Sequence, residues 1–569
     1  MRNRLRHIAL TVAAVTVTGC AGIPTGGDVH VGQELPTVGG LGDVDVRVIP
    51  PAPLPGMAPS DVVHGFLRAV VNREGNYEIA RAYLTRGAAA EWNANTVITT
   101  YDDGGVRVVA APATGANRTL TVQAPRIGLI DARGDFTPRA GTVRSTFVLA
   151  RQDGEWRIDR LPDGVLLSTL DAQRSFRLAN VYYLNLAGRT LVPEQVLLPP
   201  EPRGVTTALV RALLHGPGPW LAPAVRSAFP QGTELLGNVP VDPDGVAEVN
   251  LSSSVRQAGP TQLSALSAQL VWTLRQLSEI TAVRVLADGA PLGVPGVPLE
   301  QPRTAWSSFD PAAPPALAAA VYRGRTGWRG IPHDVAGLAP AAGLSRLALA
   351  QDGARYAGLR VRRGSTALLV GRVGNRPRQM LSATSMTPPA FAPNGDVFTV
   401  VTDGGRRRVV RVPSSGGLTA VHVDPDLLSR PVQRLRLSRD GARVAAVVGR
   451  VGHGRLLIGR VSVGHGRVAL DDFRAVLRGF PDIRGLAWDG ADSLLVTAAD
   501  VGGGREIVAL DVDGYGTRTV STTGLRAEPV GVAAAPGQPI VVRAGSDVWV
   551  DREGGWQRVG AGAAPTYAG

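Results

Sequence analysis

Few residues of this 569-residue chain combine a type and a spacing that does chemistry. Cys20 is its single cysteine, which excludes intramolecular disulfides, iron–sulfur clusters and cysteine-rich zinc sites. Lysine is absent, so all 60 basic residues are arginines. A phosphate-cradling P-loop, a Schiff base and a Ser–Lys pair each need that lysine. The eight histidines are dispersed, and His453 and His465 each stand in a Gly-His-Gly turn with no carboxylate cluster nearby in sequence. Asp242-Pro-Asp244-Gly245 and Asp511-Val-Asp513-Gly514 echo a calcium loop. Both lack its third acidic position and closing glutamate, and hairpin turns explain them fully. Asp471-Asp472 has the makings of a glycosidase pair, but 47 carboxylates supply such neighbours by composition alone. H-E-x-x-H, G-x-S-x-G and G-x-G-x-x-G do not occur. No catalytic residue, metal ligand or cofactor is therefore assigned. The candidate functional residue is Cys20.

Its surroundings give it a role. Arg2, Arg4 and Arg6 precede an apolar run from Ile8 to Val17. About ten residues are too few to cross ~30 Å of hydrocarbon, so the run reads as the core of a signal peptide. It ends in Val17-Thr18-Gly19-Cys20, which resembles the lipobox of bacterial lipoproteins. That resemblance implies cleavage between Gly19 and Cys20, a diacylglycerol thioether on Cys20 and acylation, palmitate included, of the new amino terminus. Two or three acyl chains anchor stably where one does not. The bland alternative is a plain secretory signal, which would leave a lone thiol at the mature terminus. Export to the extracytoplasmic face of the cell membrane removes nucleic acid and cytosolic cofactors from the expected partners.

The net charge is +13, but the arginines are scattered or in short runs such as Arg406–Arg408, and aromatic residues are only 5%. A nucleic-acid stripe interleaves the two. An arginine-solvated surface is the plain reading, and attraction to anionic lipid or wall polymer the sharper one.

Length alone suggests about three domains. Residues 1–19 are the expected signal peptide. Residues 20–57, rich in glycine and proline, are the expected lipidated tether, with strand-like alternation at Val44–Ile49; if flexible they reach about 35 Å. An α+β domain is expected over 58–170. Ser60 is a good helix cap, Val62, Val63, Phe66, Leu67, Val70 and Val71 form one stripe, a second helix runs Tyr77–Leu84, and strands follow. The strands cover Val106–Ala110, Thr119–Gln123, Arg126–Ile130, Gly141–Ala150 and Glu155–Arg160, with a hairpin turn at Asp153-Gly154. That order resembles cystatin-like or NTF2-like domains.

A second α+β domain is expected over 176–300. Thr206 and Thr207 would cap a helix carrying Leu209, Val210, Leu213 and Leu214. A hairpin then pairs Thr233–Pro240 with Gly245–Leu251. A long helix spans Thr261–Ile280, and a strand, Ala282–Leu286, ends at Asp288-Gly289.

Over 305–569 a repeat replaces helical periodicity. Leu347-Ala-Leu-Ala-Gln-Asp352-Gly353, Pro389-Ala-Phe-Ala-Pro-Asn394-Gly395 and Leu435-Arg-Leu-Ser-Arg-Asp440-Gly441 align, with weaker copies ending at Asp489-Gly490 and Pro536-Gly537. Each is strand, tight turn, strand, at the ~40–50 residue period of propeller blades. The fold class is thus multidomain: two α+β domains followed by an all-β propeller of five or six blades. The piece around Val321–Trp328 either completes the last blade or belongs to a sixth.

Over nearly the whole mature length, the chain resembles the actinobacterial LpqB lipoproteins. The carriers are Leu209-Val-Arg-Ala-Leu-Leu-His-Gly216-Pro217, Trp220-Leu-Ala-Pro-Ala-Val225, Ala228-Phe-Pro-Gln-Gly232-Thr233 and Gly245-Val-Ala-Glu-Val-Asn-Leu251, which look like a GerMN domain. Cys20-Ala-Gly-Ile-Pro24 and Gly65-Phe66-Leu67 add to them. Asn250 departs from the aspartate usual in that pattern. The resemblance implies a non-enzymatic partner of the extracytoplasmic domain of an MtrB-type sensor kinase. Through it, the protein would influence MtrA phosphorylation and cell-envelope homeostasis. Two alternatives stand beside it. One is a module binding peptidoglycan or another wall polymer through arginines such as Arg203, Arg211 and Arg226. The other is an extracytoplasmic hydrolase with a site on the propeller top.

Overall fold

The computed structural model describes residues 50–112, 115–199, 204–464, 466–553 and 555–569. The lipobox, most of the tether with Val44–Ile49, Arg203 and His465 lie outside the described residues. The described residues from 50 to 569 form one compact unit.

The first helix, Pro59–Ala69, buries Val62, Val63, Phe66 and Leu67. Its cap is Ala58 rather than Ser60, because Pro59 already holds the helical φ at the first position and starts the helix one step early. Gly65 is required there: a Cβ would lie 2.4 Å from the Tyr83 ring. The second helical segment is Glu74–Arg81 rather than Tyr77–Leu84, and its Gly75, Asn76 and Tyr77 have left-handed φ values of 55°, 57° and 63°. Phe66 meets the Trp92 and Phe147 rings edge-on at 5.3 and 5.9 Å. The helices cover a sheet whose strands lie in the order Glu155–Arg160, Phe136–Gln152, Arg118–Ile130, Ile98–Tyr101, Val165–Ser168. The two runs expected at 119–123 and 126–130 are one strand with a register shift between Arg126 and Gly128. At Asp153-Gly154 both φ values are positive, as a two-residue hairpin requires.

Next comes an antiparallel pair, Arg177–Asn185 with Leu191–Leu198. Helices Val205–Leu214 and Pro260–Leu274 follow, with a parallel pair, Val246–Leu251 and Ala282–Ala287. Three expectations are corrected. The first helix is capped by Gly204, and the Thr206 and Thr207 hydroxyls instead bind the Val239 backbone at 3.0 and 2.9 Å. Residues 233–240 form no strand; single bridges at Leu235 and Val241 hold them. The long helix stops at Leu274 rather than Ile280, its last apolar residues lying in turns. Asn250 Oδ1 accepts the Gly289 N–H at 2.9 Å, so the departing residue pins the Asp288-Gly289 turn.

Residues 320–566 fold into six successive sheets, antiparallel except that His422–Val423 joins the fourth in parallel; one strand of each, in order, is Ala320–Arg323, Arg346–Leu349, Ala390–Phe391, Val432–Leu437, Asp482–Trp488 and Pro529–Ala533. Every neighbouring pair of sheets shares a buried apolar cluster, and the sixth sheet shares one with the first. A hairpin cannot bury its own face, so the ring is what makes each sheet stable. The Val321–Trp328 piece belongs to the first sheet, where Ala320–Arg323 pairs with the C-terminal strand Ala563–Thr566. The repeated glycine turns at 353, 395, 441, 490 and 537 each join one of the last five of these strands to the next strand of its sheet.

A polar junction of three domains

Strand Leu191–Leu198 is apolar except for Glu194 and Gln195. At the edge of its sheet, paired with Arg177–Asn185, it places these side chains where all three parts of the unit meet. On one side is the tight turn joining Arg118–Ile130 to Phe136–Gln152. There the Gly134 carbonyl accepts the Leu197 N–H at 2.9 Å, and a Cβ on Gly134 (φ +87°) would lie 2.4 Å from the Leu197 carbonyl oxygen. The Arg133 guanidinium donates to the Gly216 carbonyl at 2.5 Å. On the other side are propeller turns. Asn180 Nδ2 donates to Asp492 at 2.7 Å and Asn185 Nδ2 to the Asp440 carbonyl at 3.0 Å.

Arg443 is the centre of this seam, 2% exposed, with Asp440 at 3.4 Å wholly buried. Its guanidinium also donates to the Pro193 carbonyl across the domain boundary. With its amide nitrogen turned inward, Gln195 donates to Asp513 at 3.2 Å. Trp220 Nε1 donates to the Asp472 carbonyl at 3.0 Å, Arg460 returns a bond to the Trp220 carbonyl at 2.7 Å, and Arg474 lies over the indole at 5.0 Å. The rings of Phe136 and Tyr515 meet edge-on at 5.2 Å, joining the first domain directly to the propeller.

These groups surround a cavity of about 170 Å3, lined among others by Asp135, Phe136, Glu194, Trp220, Arg443 and Asp513. The electrostatics are those of crowded acids. Burial, then the neighbouring Asp135 charge, pushes Glu194 up to about 7, against the pull of the Gly218 N–H and Arg443. Burial lifts Asp513 to about 7, with Asp511 adding to the rise. Asp135 and Asp511 are raised to about 6, each by burial first and a second aspartate next. Burial also raises Asp440, opposed by Arg443, the Ser438 hydroxyl and the Ala442 N–H. The cluster is therefore suited to taking up protons near neutral pH. Among the described residues, no group of three or more His, Cys, Asp or Glu side chains is arranged to hold a metal ion.

The acid pairs noted in the sequence fall into structural places. Asp471 and Asp472 pair with Arg460 at 2.6 and 3.4 Å. Asp242 Oδ1 accepts the Asp244 and Val246 N–H groups at 3.0 and 2.8 Å, closing its own turn. Asp511–Gly514 is a turn, as read, but its burial under Gln195 was not visible from sequence. The polar pair Glu194-Gln195 inside an apolar strand was the available signal.

An α+β domain, a second α+β domain with a parallel strand pair and a ring of six sheets, locked together by one polar seam, define a multidomain propeller protein. The family comparisons place it further. Residues 52–173 match "Lipoprotein LpqB, N-terminal domain", 180–293 match "Sporulation and spore germination" and 331–568 match "Lipoprotein LpqB beta-propeller domain". The chain belongs to the LpqB lipoprotein family. "Lipoprotein LpqB" of Thermobifida fusca is 31% identical over 630 residues, covering 100% of this chain and 99% of that one. That of Streptomyces coelicolor is 28% identical over 626 residues, covering 100% and 98%. Among solved structures, TolB from Acinetobacter baumannii aligns with a TM-score of 0.34 at 13% identity, over 44% of this chain and 66% of that one. No helix among the described residues is long and apolar enough to cross a membrane.

Proposed function

We propose that the chain is an extracytoplasmic, membrane-anchored adaptor that binds the sensor domain of an MtrB-type kinase without catalysing a reaction. Residues 1–19 act as the signal peptide, Cys20 carries the acyl chains, and 20–57 tether the body. The 58–170, 176–300 and 305–569 domains then work as one piece. The observation that carries this reading is the polar seam, which joins all three domains inside one compact unit over the described residues from 50 to 569. A partner held on the propeller thus bears on the other two domains through fixed contacts rather than a loose linker. Family membership supports the anchor.

Two expected outcomes follow. Cys20→Ser should leave the folded body intact but release it from the membrane fraction or leave the precursor uncleaved. Fractionation and intact mass will show it; a matured, firmly membrane-bound Cys20→Ser protein would refute the anchor. The full chain in detergent micelles should also bind the isolated kinase sensor domain saturably and ignore an unrelated sensor domain. Binding to purified wall alone would transfer the reading to the polymer-binding alternative, which the exposed Arg211 and Arg226 favour.

A further inference from the structure

In each sheet after the first, one strand ends at a glycine turn, and two of these turns, at Asp440 and Asp492, touch the second domain. The same strands begin at the opposite end of the ring. Arginines gather there. Arg346 opens the strand Arg346–Leu349; on Val432–Leu437 Arg434 is third and Arg436 fifth, so Arg436 stands further in, towards the Asp440 turn. Arg323 ends the strand Ala320–Arg323, and Arg543 is next to last on Val541–Ala544. These five come from four different sheets of a ring, and only its axis brings such residues near one another.

Their contacts bear this out. Arg434 reaches the neighbouring sheet to donate to the Arg484 carbonyl at 2.8 Å, and Arg436 reaches back to Pro389 at 3.2 Å. Arg323 donates to the Leu344 carbonyl, beside the start of the Arg346 strand. Desolvation lowers Arg346, and the charges of Arg543 and Arg323 lower it further. Arg434 is pushed down to about 10 by burial, then by Arg436 and Arg346. Nearby Asp482 does not relieve them, being taken by Arg484 and Arg505, each at 2.8 Å. Among the described residues no carboxylate forms an ion pair with Arg323, Arg346, Arg434, Arg436 or Arg543; main-chain carbonyls are their acceptors. Like charges held together without a counter-charge cost stability, and a narrow channel focuses their field. A multiply charged oxyanion removes that cost, and planar guanidinium forks match its oxygens.

We infer that the propeller channel, from Arg346 at one end inward to Arg436, is a binding site for a multiply charged phosphoryl anion. The phosphoryl group belongs either to a soluble ligand or to a lipid headgroup. Calorimetry of the full chain in neutral detergent, titrated with pyrophosphate, should show saturable, salt-sensitive binding. Arg434→Gln/Arg436→Gln should weaken it by about tenfold or more, and so should the milder Arg346→Gln at the exposed mouth. Arg406→Gln/Arg408→Gln removes the same charge as the double variant from an exposed outer strand and should leave binding unchanged. Circular dichroism establishes that each variant is folded. In parallel, co-sedimentation with phosphatidylglycerol-containing vesicles, against phosphatidylcholine alone, separates the sources. Vesicle binding lost in the same channel variants assigns the phosphoryl group to lipid; pyrophosphate binding without vesicle binding assigns it to a soluble ligand. Absence of both, or equal weakening by the outer-strand variant, overturns the proposal.

Discussion

Arg443→Met is expected to destabilise the folded unit by about 3–5 kcal/mol, the scale for removing one partner of a buried ion pair. The variant leaves Asp440 wholly buried without its cation and deprives the Pro193 carbonyl of its donor. Asp440 keeps the Ser438 hydroxyl and the Ala442 N–H at 2.8 Å, so part of the cost is met by protonation instead. Methionine fills much of the vacated volume, which separates loss of charge pairing from loss of packing. The damage should be local before it is global. Hydrogen exchange in Leu191–Leu198 and in the Asp440–Arg443 turn should rise, while the distant sheet opening with Arg346–Leu349 keeps its protection. Adding Asp440→Asn to Arg443→Met should recover part of the loss, because the second change removes the stranded charge. A single variant melting with the parent, and with unchanged exchange at the seam, would show that the seam does not hold the domains.

What the sequence reveals of this protein and what it hides divide along a physical line. Features set by neighbours in the chain were legible. The stripe Val62, Val63, Phe66 and Leu67 is a buried helix face, and the glycine turns recur because five of the sheets use a tight link between two neighbouring strands. The first sheet lacked that mark for a topological reason. Its pairing partner Ala563–Thr566 comes from the far end of the chain, so no turn joins it to Ala320–Arg323. The parallel pairing of Ile98–Tyr101 with Val165–Ser168 was equally hidden, being two four-residue strands far apart in sequence. The junction and the channel were hidden for a different reason. Asp440 and Asp513 look like turn formers and are turn formers; their second role depends on which domain covers the turn. Arg323 through Arg543 look like solvated arginines until a ring brings them to one axis. Cys20 is the opposite case: everything argued for it comes from local sequence, and it lies outside the described residues.

Stability should rise as pH falls from about 8 to 5.5, the reverse of the behaviour of a protein held by salt-bridged carboxylates. Glu194 stands at about 7 against an ordinary 4.5, and Asp513 at about 7 against 3.8. A carboxyl raised by folding binds more protons in the folded state, so its contribution is whole below the ordinary value and is lost as pH climbs through the raised one. For these groups and for Asp135 and Asp511 near 6, that window runs from about 4 to 7.5. Groups of the opposite kind lie outside it. Asp482 is held below its ordinary value by the Gly454 N–H, then Arg505 and Arg484, against its burial, and Asp547 by Arg558, so their loss begins only in stronger acid. Glu194 alone is worth on the order of 3 kcal/mol between the ends of the window. The cluster totals less than the separate shifts suggest, because the acids repel one another and titrate together. Glu194→Gln keeps an oxygen for the Gly218 N–H, which the parent accepts at 3.0 Å, and removes the charge. The variant should therefore melt a few degrees above the parent at pH 8, converge with it near pH 5, and show a flatter profile between. Asp513→Asn should act the same way if the whole cluster is responsible. Thermal melts of the three proteins across that range decide the matter. A parent whose melting temperature is flat, or falls, between pH 8 and 5.5 has its junction acids ionised and stabilised by partners, contrary to the burial that the seam imposes on them.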